Sequence, residues 1–269
     1  MSAVVSAVDQ LLFEAAGEGC FAEVESLLDA GADARSALAP VEIAACNGHA
    51  SIVQLLLERG ADIHLNNDGA LHEAVGQDRA SVVAVLLDRG ANIEAEDEDG
   101  REGTPLNWAA TGRSAESIQT LTMLLDRGAK IDAGMTGTPL CWALANGCLE
   151  AAKVLLDRGA DPRANNDEVL RYASKNGEAG SVALLLGLCK YPAGVITGAR
   201  KDAMTAGHGA VVAVIDSFRQ RQKLSKPPTS PKSPKPDTSN EFDVRHKDGR
   251  ADSESTLHAP PRAQRGARL

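Results

Sequence analysis

Apolar residues along this chain come in short bursts, and the bursts recur. Leu27-Leu28-Asp29-Ala30-Gly31-Ala32 is followed by the same Leu-Leu-acid-x-Gly-Ala string at 56–61, 86–91, 124–129 and 155–160. Its glycines, Gly31, Gly60, Gly90, Gly128 and Gly159, stand 29, 30, 38 and 31 residues apart. A second string lies upstream of each Leu pair. Its clearest copies are Thr104-Pro105-Leu106-Asn107-Trp108-Ala109 and Thr138-Pro139-Leu140-Cys141-Trp142-Ala143. Weaker copies lead to Ala44, Ala74 and Ala173. In five repeats the step from the closing Ala (Ala15, Ala44, Ala74, Ala143, Ala173) to the first Leu of the pair is 12 residues. Two motifs in fixed phase with varied filler mark an internal repeat.

The pattern within one unit predicts a helix, a turn and a helix. Thr104 or Thr138 can cap a helix start, with Pro at the first helical position, where no donor is needed. Leu and Ala at i and i+3 open an apolar stripe. Gly19, Gly48, Gly147 and Gly177 end the first helix, and a second stripe such as Ile52, Val53, Leu55, Leu56 and Leu57 follows. Gly60 then closes it in a left-handed cap that a Cβ would resist. His49 and His208, each five residues after a closing Ala, and His72, two before one, occupy positions of the repeat pattern and are expected to make structural hydrogen bonds.

These strings resemble the ankyrin repeat, which opens Thr-Pro-Leu-His-x-Ala and folds as helix–turn–helix. The resemblance implies an all-α solenoid of about seven repeats with short connecting loops or β-hairpin fingers. The units run at about 9–35, 36–65, 66–97, 98–133, 134–165, 166–194 and 195–218. Most are near 30 residues, shorter than the family's 33, so stunted fingers are expected. The end units are degenerate, as capping units should be. Repeat six has Cys189 where Gly is expected. Repeat four carries three extra residues between Ala109 and Leu124, which predict a bulged inner turn at 111–116.

Composition sharpens this picture. Aromatics are only 3% of 269 residues, so Ala and Leu must supply most of the burial. The net charge of −9 divides unevenly. Residues 1–218 carry 16 basic and 31 acidic side chains, against 12 and 6 in 219–269. Seven of the twelve Pro lie in that second part. Residues 1–218 therefore read as the repeat domain, and 219–269 as a disordered tail rich in Pro, Ser, Lys and Arg that cannot bury enough to offset its ordering entropy. Ser230 and Ser233, each followed by Pro, are candidate phosphorylation sites there. The longest uncharged apolar stretch, 180–189, is too short to span a membrane. The N-terminus does not read as a secretory signal. Five scattered Cys without a C-x-x-C spacing suit a reducing compartment, hence an intracellular protein, cytoplasmic or nuclear.

No Gly-x-Ser-x-Gly, His-Glu-x-x-His or phosphate loop is present, which argues against an enzyme, and no cofactor is implied. The resemblance implies instead an extended concave surface that binds protein. In this family the residue before the closing Ala faces that surface. Down the repeats this column reads Glu14, Ile43, Glu73, Trp108, Trp142, Tyr172 and Asp202. Both Trp and one of two Tyr fall on three successive repeats. They read either as binding anchors, since aromatics bury much area at little entropy cost, or as packing against neighbouring helices. The junction before repeat four is the longest and holds Glu94, Glu96, Asp97, Glu98, Asp99, Arg101 and Glu102. It reads as a finger that attracts a basic partner segment, or as a solvated loop; the ligand spacing of a calcium loop is absent. The expected function is a non-catalytic scaffold, with a regulatory or substrate-adaptor subunit of an enzyme complex as the alternative. The expected binding residues are Glu73, Glu96, Asp97, Glu98, Asp99, Arg101, Trp108, Trp142 and Tyr172. The acidic body argues against nucleic acid.

Overall fold

The computed structural model describes residues 6–96, 103–134, 137–163 and 168–224. The chain divides into Met1–Lys226 and Pro227–Leu269, and every described residue lies in the first unit. Ser230, Ser233 and the rest of the tail from residue 225 on fall outside the described residues, as do Asp97, Glu98, Asp99 and Arg101.

Fourteen helices and no strand are found among the described residues. They come in pairs: α1 (Ala7–Glu18) with α2 (Phe21–Asp29), α3 (Pro40–Asn47) with α4 (Ala50–Glu58), and α5 (Gly69–Gly76) with α6 (Ala80–Asp88). Next are α7 (Pro105–Thr111) with α8 (Ala115–Asp126), and α9 (Pro139–Ala145) with α10 (Leu149–Asp157). The last pairs are α11 (Glu168–Lys175) with α12 (Ala179–Leu188), and α13 (Ala193–Thr205) with α14 (Gly209–Leu224). The first helices of the pairs stack in chain order as one layer, and the second helices form another behind it. The core between them is built from the columns the repeats predict. Leu12, Val41, Leu71, Leu106, Leu140 and Leu170 are at most 1% exposed. Tyr191 is the one aromatic among the buried core residues described.

The Leu-Leu-acid-x-Gly-Ala string is a helix stop, and its hydrogen bonds explain its spelling. The Gly60 N–H donates to Leu57 at 3.1 Å, and the Ala61 N–H donates to Leu56 at 2.9 Å. That pair of bonds satisfies carbonyls a helix end leaves open. It needs a left-handed residue between them, and Gly60 has φ 93°. The same two bonds close α2, α6, α8 and α10. Asp33, Asp62, Asn92 and Asp161 then each take the backbone N–H two residues on, which starts the connector as a tight side-chain turn.

The string also links repeats. Its Arg at the x position reaches the acid of the preceding copy: Arg59 to Asp29 at 2.7 Å, Arg89 to Glu58 at 2.9 Å, Arg127 to Asp88 and Arg158 to Asp126 at 2.8 Å. Such half-exposed pairs are worth ~0–1 kcal/mol each. Their value lies in register, since each joins equivalent positions one repeat apart.

Repeat four departs from expectation. The three extra residues of repeat four do not bulge the inner turn. They lengthen α8, which has 12 residues where α4, α6 and α10 have 9. Helix absorbs them because it satisfies their backbone groups, whereas a bulge would leave them open. Gly112 and Ser114, both extended, replace the left-handed turn used elsewhere. The partner turn in repeat three has changed to match. Asp78 stands left-handed (φ 58°) where the other turns have glycine. Its carboxylate accepts Ser114 Oγ at 2.8 Å and Ser117 Oγ at 2.6 Å. The connectors are short, as the repeat length predicts. Asn66, Asn67 and Asp68 are consecutive left-handed residues (φ 50°, 53° and 61°), a compact path that Asn and Asp tolerate best.

The last pair is a cap. In α13, Arg200 occupies the place of the buried Leu column, and in α14, Asp216 occupies that of the second Leu of the pair. They form a two-pronged ion pair at 2.7 and 2.8 Å. α14 runs on past 218 to Leu224.

Candidate functional site

The exposed face of the first-helix layer carries the predicted column, and the structure divides its aromatics. Trp108 is half-buried and packed against the core. Its ring lies over Gly76 of α5, 3.8 Å from where a Cβ would stand, so it bridges repeats three and four. Its Nε1 is buried and has no acceptor. Trp142 is half-buried but is not among the side chains packed on the core. Its indole edge rests on Gly137 of its own connector, with Nε1 3.4 Å from the Cβ position. Tyr172 is 47% exposed. It lines a pocket of about 140 Å³ with Glu168, Arg171, Lys175 and Asp202.

Local structure holds these residues in place. Thr138 caps α9 by accepting the Cys141 N–H at 3.3 Å. In repeat four, Thr104 Oγ1 instead donates to Asn107 Oδ1 at 2.7 Å. Asn107 is fully buried, and its Nδ2 reaches the Gly137 carbonyl at 2.8 Å. The connector beneath Trp142 is thereby tied to α7. At the turns, His49 Nε2 meets the Gly17 carbonyl at 3.1 Å and His208 Nε2 meets the Lys175 carbonyl at 3.0 Å, the structural role expected of them.

Toward the N-terminal repeats the same face is acidic. Glu14 and Glu73 are exposed, and Glu42 and Ile43 are half-buried. Phe13, Leu38, Ala39, Glu42, Ile43, Cys46 and Glu73 surround a pocket of about 210 Å³. Burial, then a hydrogen bond to Glu73, push the Cys46 thiol above its ordinary pKa. Burial pushes the Cys141 thiol up to about 11. Both cysteines therefore remain protonated and poorly nucleophilic at neutral pH. Glu96 is half-buried in the connector after α6. The rest of the predicted acidic finger lies outside the described residues.

Reading one column missed its neighbours. Arg171 and Lys201 stand one residue before Tyr172 and Asp202, and Lys175 lies one turn on from Tyr172. All three are exposed. Arg171 pairs with Asp202 at 2.8 Å, and that bond deepens its preference for the charged form. The signal was available in the helical period, because i±3 and i±4 share a face. Among the described residues, no group of three or more His, Cys, Asp or Glu could hold a metal ion. No described helix is long and apolar enough to cross a membrane.

Comparison with known proteins finds the same class of repeat. A family model described as ankyrin repeats (3 copies) matches three overlapping segments, 12–97, 42–135 and 106–195. The chain is 37% identical over 153 residues to the ankyrin repeat and KH domain-containing protein mask-1 of Caenorhabditis elegans. That match covers 55% of this chain and 6% of the mask-1 protein. Paired helices, repeated glycine stops and a family match across most of the described solenoid place this chain in the ankyrin repeat family.

Proposed function

We propose that the chain is a non-catalytic scaffold that binds a partner protein on the exposed face of its first-helix layer. Ankyrin repeats are generally protein-interaction modules, and family membership supports that class of function. The observation that carries the reading is the contrast within the aromatic column. Trp108 is committed to the core, whereas Trp142 and Tyr172 offer ring area beyond it. α7 and α9 contain no charged residue, so this central stretch is desolvated at little cost. Trp142 and Tyr172 are the anchors, Trp108 is their support, and Glu73 flanks them. Glu96 adds to the negative charge, and the acidic run that follows it in the sequence favours a partner with a basic stretch. The solenoid is an intracellular component in this reading.

The test is affinity capture with the full chain, quantified by mass spectrometry. Trp142→Ala with Tyr172→Ala should lose the specific partners while the melting temperature stays within about 3 °C of wild type. Trp108→Ala should instead lower stability by about 3 kcal/mol or more. Partners retained by the double variant would remove this surface from consideration.

A further inference from the structure

The first helices fall into three chemical zones along the stack. α1, α3 and α5 carry Asp9, Glu14, Glu18, Glu42 and Glu73, and not one Lys or Arg. α7 and α9 are uncharged and supply Trp108 and Trp142. α11 and α13 supply Arg171, Lys175, Arg200 and Lys201 against Glu168 and Asp202. Arg200 is taken by Asp216 at the C-terminal cap, and Arg171 is half engaged by Asp202. Lys175 and Lys201 are exposed and in no ion pair among the described residues. The face therefore runs from negative, through aromatic, to positive.

From this gradient we infer that the partner is a bipolar segment: basic at one end, apolar in the middle and acidic at the other, laid across the first helices. The inference rests on the scaffold reading above and adds polarity and direction to it. A segment with charge at only one end would leave the opposite end of the face unmatched, and one laid the wrong way would meet like charge at both ends. Like-charge contact is costly, so the same arrangement that attracts the right segment rejects its reverse. Geometry sets the partner's length. Helices packed side by side lie ~10 Å apart, so Glu73 on α5 and Arg171 on α11, three helices apart in the stack, are separated by roughly 30 Å. An extended chain covers this in about 9 residues. The acidic side is a pocket lined by Phe13 and Ile43 together with Glu42 and Glu73, which suits a long basic side chain whose stem packs while its head pairs. At the positive end the Tyr172 pocket sets Arg171 and Lys175 against Glu168 and Asp202; Arg171 is engaged by Asp202, and a carboxylate can meet Lys175.

Fluorescence anisotropy on the full chain tests this with synthetic peptides. The lead probe has about four lysines, a leucine-containing neutral centre and about four glutamates, with charge centres separated by about 9 residues. Controls are a scramble of the same composition, a lysine-end peptide and a glutamate-end peptide. The lead peptide should bind about ten-fold or more tighter than the scramble, with an advantage that shrinks at high salt. Glu14→Lys with Glu73→Lys should weaken the lead and lysine-end peptides and spare the glutamate-end peptide. Lys175→Glu with Lys201→Glu should do the reverse. All four side chains are exposed, so the variants should retain wild-type melting temperatures. Equal affinity for lead and scramble, or no effect of the Lys175/Lys201 pair, overturns bipolar recognition. If Trp142→Ala still weakens peptide binding in that case, the interaction face stands and only its polarity falls. If no variant on this face alters any peptide, both readings fall.

Discussion

Thr120 and Ser181 occupy equivalent places in α8 and α12, where repeats two, three and seven have Ile52, Val82 and Val211. Both hydroxyls are buried, and neither has a hydrogen-bond partner. A buried hydroxyl left open costs about 1–3 kcal/mol. Thr120→Val keeps the shape and removes the open group, so it should raise unfolding free energy by ~1 kcal/mol in urea titration, with Ser181→Ala in the same direction. Loss of stability in both would mean that these hydroxyls have partners after all. The glycines give a second residue-level test. Gly90 has φ 93° and open space where a Cβ would stand, so its restriction is conformational alone. Gly90→Val should cost ~1–3 kcal/mol through the backbone. Gly187 lies inside α12 with equal space and no left-handed φ, so Gly187→Ala should be neutral or stabilising by under ~1 kcal/mol. Thermal melts of the two variants should therefore diverge.

At the scale of elements, the C-terminal end of the stack differs from its middle in chemistry as well as in helix length. α13 and α14 pack as any other pair, but Arg200 and Asp216 stand where Leu columns would meet an eighth unit. The Arg200 guanidinium holds the Asp216 carboxyl below its ordinary pKa. A carboxylate with a depressed folded pKa adds stability above its unfolded pKa, about 3.9, and loses it as pH falls through the folded value. Glu58, lowered by Gln54 and Arg89, and Asp9, lowered by the Asp33 N–H and Ser6, act in the same direction. The melting temperature should thus fall as pH drops from about 5 to 3, and Asp216→Asn should make the fall shallower. An unchanged pH profile in that variant would remove the ion pair from the cap's energetics. Repeat four shows how elements adjust jointly. The lengthened α8 loses the glycine turn, and Asp78 of the previous repeat supplies the hydrogen bonds that seat Ser114 and Ser117.

At the scale of the whole molecule, register comes from interactions that recur between units: the Arg–acid ladder at four junctions, the turn contacts of His49 and His208, and the Leu and Ala columns. Repeat number, helix pairing and core composition were legible in the chain alone. Helix stops and apolar stripes are local rules, satisfied within about one turn of the residues that spell them. The Leu-Leu-acid-x-Gly-Ala string even encodes its own hydrogen bonds. The site was legible in part. The column Trp108, Trp142 and Tyr172 could be read from phase, but nothing local distinguishes a ring laid over Gly76 of the preceding repeat from one resting on its own connector. That choice depends on what a neighbour some thirty residues away presents. The same holds for the length of α8, where local propensity allowed either bulge or helix and contact with Asp78 accompanies the helix. Charge followed both rules. Its signs were visible along the chain, but the separation into an acidic, an aromatic and a basic zone exists only because stacking brings one face of seven helices into a row. Sequence alone determined the unit and its repetition, because those depend on neighbours in the chain; the tertiary structure decided which side chains remain outside the core, because that depends on neighbours in space.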